Sequence, residues 1–255
     1  MFVDLEERIR KEEKISSFIN NVVMLEKIDS TNSYAKELKD QVDGTLIVAK
    51  EQTQGRGRNN RTWKSFGEKN LTFSLIVNYP EDKEALGLFS LLSANSVAAT
   101  IEELGLIPEI KWPNDILVEG HKLAGILIEN VMSSGGKIKS FIGIGLNVNQ
   151  SDFKEFNRPA TSLALLCKHH FDLPTLAVQL QEAILRRYDQ ANWNLILEEY
   201  NATLYGQGAH QVFEDAAGNP KKTESIKVNS DGQMILKLMG GKEEVYDHGQ
   251  LTYLI

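Results

Sequence analysis

Cysteine is nearly absent from this sequence: Cys167 is the single one among 255 residues. One thiol cannot close an internal disulfide or build a cysteine-based zinc cluster, and such sparing use suits a reducing, cytoplasmic setting. Long apolar runs are missing too. No stretch approaches the roughly 20 residues needed to cross a bilayer, so no membrane partner is expected. The opening MFVDLEERIRKEEK is charged where a signal peptide would be apolar. Histidine is sparse, and His121, His169, His170, His210 and His248 show no spacing that suits a zinc site. Positive charge is in deficit: the formal net charge is −7, which disfavours a nucleic acid as the main partner. One local exception stands out, because Arg56, Arg58, Arg61 and Lys64 fall within nine residues. No internal repeat or low-complexity tract is present.

What remains is the composition of an ordinary folded protein, 42% hydrophobic and 25% charged, long enough for a main domain and a small appendage. Residues 1–20 mix charges with Leu5, Ile9, Ile15 and Phe18, the pattern of a short helical extension. Residues 21–204 form the expected main domain. It opens strand, helix, strand (VVMLEKI, STNSYAKELK, TLIVAKEQ), with Ser30, Thr31 and Asn32 as N-cap types. The alternation of Leu71–Val77 predicts a half-buried strand, and the apolar spacing of 86–104 a helix stopped by Gly105 and Pro108. DILVEG, KLAGILIENVM and KIKSFIGIGLNVN then predict three hairpin-linked strands, with turns at Gly120 and Gly135-Gly136. Helices follow over 174–191 and 193–204. His169-His170 reads as a solvated helix end, and Cys167 as a small core residue. Residues 205–255 alternate short strands with turn signals and form the expected all-β module. The fold class is α+β, a mixed sheet with helices on one face.

Three stretches carry chemistry. Glu51-Gln-Thr-Gln-Gly-Arg-Gly-Arg-Asn-Asn-Arg-Thr-Trp63 sets two glycines between arginines directly after a strand. Gly55 and Gly57 let backbone N–H groups approach a ligand, and the guanidinium forks match phosphate or carboxylate oxygens. The pattern is neither a P-loop nor a dinucleotide fingerprint, and a basic RNA-binding segment is its other reading. Lys111-Trp-Pro-Asn-Asp115 precedes Gly120-His-Lys-Leu-Ala-Gly125; Asp115 and Lys122, seven residues apart across a hairpin turn, can face one site. A surface ion pair is the plainer alternative. In Gly143-Ile-Gly-Leu-Asn-Val-Asn149 the apolar residues share one strand face, while Gly143, Gly145, Asn147 and Asn149 share the other. That bare face suits a flat ligand or close packing on a helix.

Together with Asp29-Ser-Thr-Asn32, these stretches resemble the biotin–protein ligase family. The matching motifs are Gln52 with Gly55-Arg-Gly-Arg58 and Arg61-x-Trp63, Lys111-Trp-Pro-Asn-Asp115, Lys122-Leu-Ala-Gly-Ile-Leu127 and Gly143-Ile-Gly-Leu-Asn147. They follow family order over roughly residues 22–150. The resemblance implies a class II synthetase-like mixed sheet backed by helices and an SH3-like C-terminal domain. It implies biotin as substrate, ATP and Mg2+ as co-substrates, and a biotin carboxyl carrier domain as partner. By position, Ser30, Thr31, Asn32 and Gln52 match the biotin contacts. Gly55, Arg56, Gly57 and Arg58 match the loop that closes over biotin and adenylate. Arg61, Trp63, Lys111, Trp112, Asn114 and Asn147 match adenylate contacts. Lys122, with Gly125, matches the lysine that meets the biotin carboxylate, and Asp115 a residue serving magnesium or the incoming lysine; Lys122, Arg58 and Asp115 are the implied catalytic residues.

Two departures from the family pattern stand out. Asn60 replaces the last glycine of the arginine loop, a tolerable exchange because asparagine accepts positive φ. Asp247-His-Gly-Gln250 stands where the family carries a Gly-Glu-Val turn, and no site residue is named there. Some members add an N-terminal DNA-binding domain. Only about twenty residues precede the first strand here, so no DNA partner is expected. The nearest alternative activity is that of a lipoate–protein ligase; a non-catalytic RNA-binding module is a third. A homodimer is left open.

Overall fold

The structure is a computed structural model that describes residues 5–12, 18–58, 61–65, 67–79, 84–132, 138–153, 159–190 and 192–254. Ile15, Asn60 and the Gly135-Gly136 turn lie outside the described residues.

A seven-stranded sheet forms the centre, ordered β1-β2-β5-β9-β8-β7-β6. Its strands are β1 (Asn21–Ile28), β2 (Thr45–Gln52), β5 (Asn70–Tyr79), β6 (Pro108–Lys111), β7 (Asp115–Val118), β8 (His121–Met132) and β9 (Ile138–Asn147). β1 and β2 run parallel, linked through helix α2 (Thr31–Glu37). The remaining neighbours run antiparallel, so the sheet is mixed as expected.

Alternation along the strands assigns the two faces. Leu71, Phe73, Leu75, Ile142, Ile144 and Leu146 enter the main core. Helices α3 (Glu84–Glu102), α5 (Leu173–Gln190) and α6 (Trp193–Ala202) supply its other side. α3 lies within that layer, and its buried hydroxyls bond back one turn: Ser93 to the Phe89 carbonyl and Thr100 to that of Ser96. Pro108–Lys111 adds an edge strand that the sequence pattern did not indicate.

One expectation needs correcting. The helices do not all share a face, because α2 packs on the opposite side. Its Ala35 joins Ile47, Ile76 and Phe141, the residues that alternate with the core-facing ones. The polar opening of α2 and the glycines of β9 thereby meet on one surface. Ser30 caps α2, in extended backbone (φ −154°, ψ 134°), with its hydroxyl 3.4 Å from the Ser33 amide.

The N-terminal extension contains α1 (Leu5–Lys11), whose Leu5 and Ile9 are fully buried in the main core. Arg8 ties it to Asp172 at 2.8 Å and Thr175 at 2.7 Å. Short α4 (Leu163–Cys167) ends beside exposed His169 and His170, and Cys167 is half-buried against the core. Beyond α6, β10 (Val212–Asp215), β11 (Pro220–Val228), β12 (Met234–Leu238), β13 (Glu243–Tyr246) and β14 (Leu251–Leu254) form a five-stranded antiparallel sheet. Asn201 joins it to α6: the side-chain amide donates to the Val228 carbonyl at 2.9 Å and accepts from the Val228 amide at 2.7 Å. Among the described residues no helix is long and apolar enough to cross a membrane.

Candidate active site

A cavity of about 510 Å³ opens on the sheet face that carries α2. One wall is a closed polar network. The Gln52 side-chain oxygen accepts from the Thr31 amide at 2.8 Å, and the Thr31 and Ser74 hydroxyls lie 2.7 Å apart. Ser74 donates to Asn32 Oδ1 at 2.5 Å, while Asn32 Nδ2 donates to Glu129 at 3.0 Å. Ser30, Thr31, Asn32 and Gln52 are all buried, so these groups are fixed before any ligand arrives.

The glycines of β9 make room for this wall. A Cβ on Gly143 would lie 2.6 Å from Asn32 Oδ1, and one on Gly145 would lie 2.3 Å from the Trp63 ring. The bare strand face is therefore covered partly by the protein's own side chains. Trp63 reaches it from β4 (Thr62–Trp63), which pairs with β3 (Gly55–Arg56). Gly57 closes that ribbon by donating its amide to the Arg61 carbonyl at 2.8 Å.

Lys122 and Asp115 face each other in the same cavity, with Nζ to Oδ1 at 2.6 Å. Glu119 (φ 51°) and Gly120 (φ 74°) make the two-residue turn between β7 and β8. Past that turn a register shift sets Leu117 opposite Lys122 but Asp115 opposite Gly125. The extra residue restarts the alternation, so Lys122 and Gly125 line one cavity although three positions apart. The Lys122 backbone is held at both groups: its amide donates to the Pro159 carbonyl, and its carbonyl accepts from the Thr161 amide, each at 3.0 Å. The ammonium also lies 5.6 Å from the Trp63 ring centroid.

Arg56 and Arg58 complete the cavity. Half-exposed Arg56 lies 3.5 Å from Glu129 Oε1. Burial raises the Glu129 carboxyl's affinity for a proton. Hydrogen bonds from Lys36 and Asn32, with the charges of Lys36 and Arg56, reverse this and leave it below its ordinary value. Burial likewise lowers Arg58, opposed by the Asp115 charge. Asn114 is fixed by donating to the Ile126 carbonyl at 2.7 Å. Asn147 donates to the Thr161 carbonyl at 3.0 Å. Two buried atoms here, Trp63 Nε1 and Asn147 Oδ1, have no hydrogen-bond partner among the described residues. Both atoms are covered within the cavity wall, the Trp63 nitrogen by the bare Gly145.

Comparison with known proteins places this geometry. Residues 24–149 match the family model for the Biotin/lipoate A/B protein ligase family. The Bacillus spizizenii bifunctional ligase/repressor BirA is 39% identical over 232 residues, 86% of this chain and 70% of its own length. The Mycobacterium tuberculosis biotin–[acetyl-CoA-carboxylase] ligase is 30% identical over 223 residues, 84% of this chain and 80% of its own. The chain belongs to the biotin–protein ligase family. Coverage differs among its relatives: with the Bacillus subtilis BirA, 38% identical, the match spans 63% of this chain and 51% of that protein. The biotin protein ligase of Aquifex aeolicus, solved in complex with biotin and ATP, superposes with a TM-score of 0.77 at 26% identity, covering 92% of this chain and 98% of that one.

Against this family background, most motif residues gather in the cavity: Ser30, Thr31, Asn32, Gln52, Arg56, Gly57, Arg58, Arg61, Trp63, Asn114, Asp115, Lys122, Gly125 and Asn147 line it. Gly55 lies behind, because its Cα packs where a Cβ would come 2.4 Å from the Trp63 carbonyl oxygen. Lys111 and Trp112 do not line it. The Lys111 ammonium sits 4.9 Å from the Tyr253 ring centroid, and Trp112 is buried with its indole N–H on the Gly232 carbonyl. Both residues face the C-terminal module. Sequence reasoning missed Ser74 and Glu129. Ser74 could have been found as the small polar residue opposite Gly143. Glu129 is recognisable only through partners distant in sequence.

Proposed function

We propose that the chain activates biotin with ATP to biotinyl-5′-adenylate and transfers the biotinyl group to a lysine of a biotin carrier domain. The observation that carries this reading is the Lys122–Asp115 pair in one cavity with Arg56, Arg58 and the Ser30–Asn32 wall. In the first step a biotin carboxylate oxygen attacks the α-phosphorus of ATP, and the bond to the β-phosphate oxygen breaks to release pyrophosphate. Lys122, Arg56 and Arg58 offset the repulsion between carboxylate and phosphates. The hydroxyl and amide wall suits a neutral ureido ring.

Magnesium belongs to the nucleotide. Among the described residues no group of three or more His, Cys, Asp or Glu could hold a metal. Asp115, bonded to Lys122, is a single carboxylate and makes no cage, so Mg2+ would be held mainly by the ATP phosphates, where it would offset their charge. In the second step the neutral amine of the carrier lysine attacks the acyl carbon, the acyl–oxygen bond breaks, and AMP leaves. Asp115 accepts the proton that the amine loses. The likeness to the M. tuberculosis enzyme supports the carrier of an acetyl-CoA carboxylase as the acceptor.

The test is exchange of labelled pyrophosphate into ATP, with biotin, with lipoate and with no acid. Exchange with biotin alone is expected. Exchange with lipoate alone would assign the sister activity, and none with either acid would overturn the proposal.

A further inference from the structure

Arg58 reaches beyond its own loop to the C-terminal module. Its Nη1 lies 3.1 Å from Nδ1 of His248, on the exposed turn 247–250 that joins β13 to β14. The other ring nitrogen, Nε2, lies 3.2 Å from the Gly232 carbonyl oxygen. A carbonyl can only accept, so Nε2 carries the proton; a guanidinium can only donate, so Nδ1 accepts. The two contacts demand the same neutral tautomer. The ring meets Trp112 edge-on, centroids 5.1 Å apart at 64°, and the Trp112 indole donates to the same Gly232 carbonyl at 2.9 Å. The turn bearing Gly232 is itself seated on α3, where a Cβ on Gly87 would lie 2.6 Å from the Asp231 backbone.

We infer that His248 is a positioning residue for Arg58, the link through which the C-terminal module sets the guanidinium that meets the adenylate phosphates. The inference rests on the adenylation reading of this cavity. It gives the 247–250 turn a role in the reaction although no atom of it lines the cavity. Protonation of the ring would fill Nδ1 and set two cations side by side, so the contact exists only with neutral imidazole. The charged groups facing the ring are Arg58 and Asp247; Asp115 faces Arg58 in turn. Although the residue is exposed on its outer side, the ring is partly desolvated against Trp112 and Gly232, and this, then the guanidinium charge, holds His248 below the ordinary histidine value. The neutral form, and with it the contact, therefore prevails at neutral pH and is lost on acidification.

The test uses the full chain and the variants H248A, H248N and R58A. In biotin-dependent exchange near pH 8, H248A should raise KM for ATP about tenfold and leave KM for biotin within about twofold, the loss expected for one hydrogen bond to a charged group. In H248N the amide oxygen takes the place of Nδ1. That variant should restore KM for ATP and abolish its rise at acidic pH, which a purely structural role would not produce. In parallel, imidazole NMR of the protein without substrates should show His248 protonated on Nε2 at neutral pH, and its pKa should rise in R58A. An unchanged KM for ATP in H248A, failure of H248N to rescue, or an unmoved titration in R58A would each overturn the inference. Absence of biotin-dependent exchange in the wild type would instead overturn the proposed function, and the NMR titration would still decide the contact.

Discussion

Lys122 is bound from three sides: its ammonium by Asp115 and the Trp63 face, its backbone by Pro159 and Thr161. Because the backbone bonds do not need the side chain, Lys122→Ala should keep the fold and remove the charge proposed to meet the reacting carboxylate. Pyrophosphate exchange should fall by about 10²-fold or more, with a thermal midpoint near wild type; near-normal exchange would reject this role. Glu129 works differently, since it holds Asn32, Lys36 and Arg56 together. Its folded pKa is lowered, so its contribution is complete above the ordinary value of 4.5 and disappears as pH falls through the lowered folded value. Glu129→Gln should cost about 1–2 kcal/mol at neutral pH, and the gap between the two urea midpoints should close on acidification. A gap that widened in acid would reverse the assignment. The Asp115–Lys122 pair was legible because a two-residue turn and alternation fix which side chains share a face. Glu129 was not, because its partners lie 93 and 97 residues away in the chain.

At the scale of elements, legibility followed local periodicity. β7, β8 and β9 could be read from β-rich runs and glycine turns, and α3 from its apolar spacing. The side on which α2 packs could not, since a short amphipathic helix fits either face until the sheet exists. Two-residue β3 and β4 lie below the length at which any period shows. The bulge near Leu123 leaves no mark in composition, yet it brings Gly125 to the cavity. Gly87 illustrates the same limit, because in the sequence it is a helix-weakening residue and in the fold it is the seat of the 229–232 turn. Replacing it with alanine gains up to about 1 kcal/mol of helix propensity but forces a methyl against Asp231 backbone. Overpacking of that kind costs roughly 1–3 kcal/mol, so Gly87→Ala should destabilise in denaturant titrations. A stabilised variant would show that the turn yields freely.

The whole molecule is more unified than the expected boundary near residue 204 suggests. Phe213, Ile226, Val228, Met234 and Leu236 of the C-terminal module belong to the same buried cluster as Ile110, Trp112 and Tyr200. Asn201 pairs with Val228 as another strand would, and Lys111 lies over Tyr205 and Tyr253. Composition announced a change of architecture after Gly206, but composition carries no information on how two architectures dock. Shared burial decides cooperativity, because opening the interface would expose Trp112 and leave the Val228 backbone without its partner. Unfolding should therefore be a single transition. Tryptophan fluorescence and far-ultraviolet circular dichroism should coincide, with a calorimetric enthalpy on the order of 180 kcal/mol near 60 °C that matches the van't Hoff value. A separate step of about 35 kcal/mol, the share of some fifty residues, would instead mean that the module unfolds alone. In that case it could release Arg58 without disturbing the sheet, and the tie through His248 would be a reversible latch rather than part of one cooperative fold.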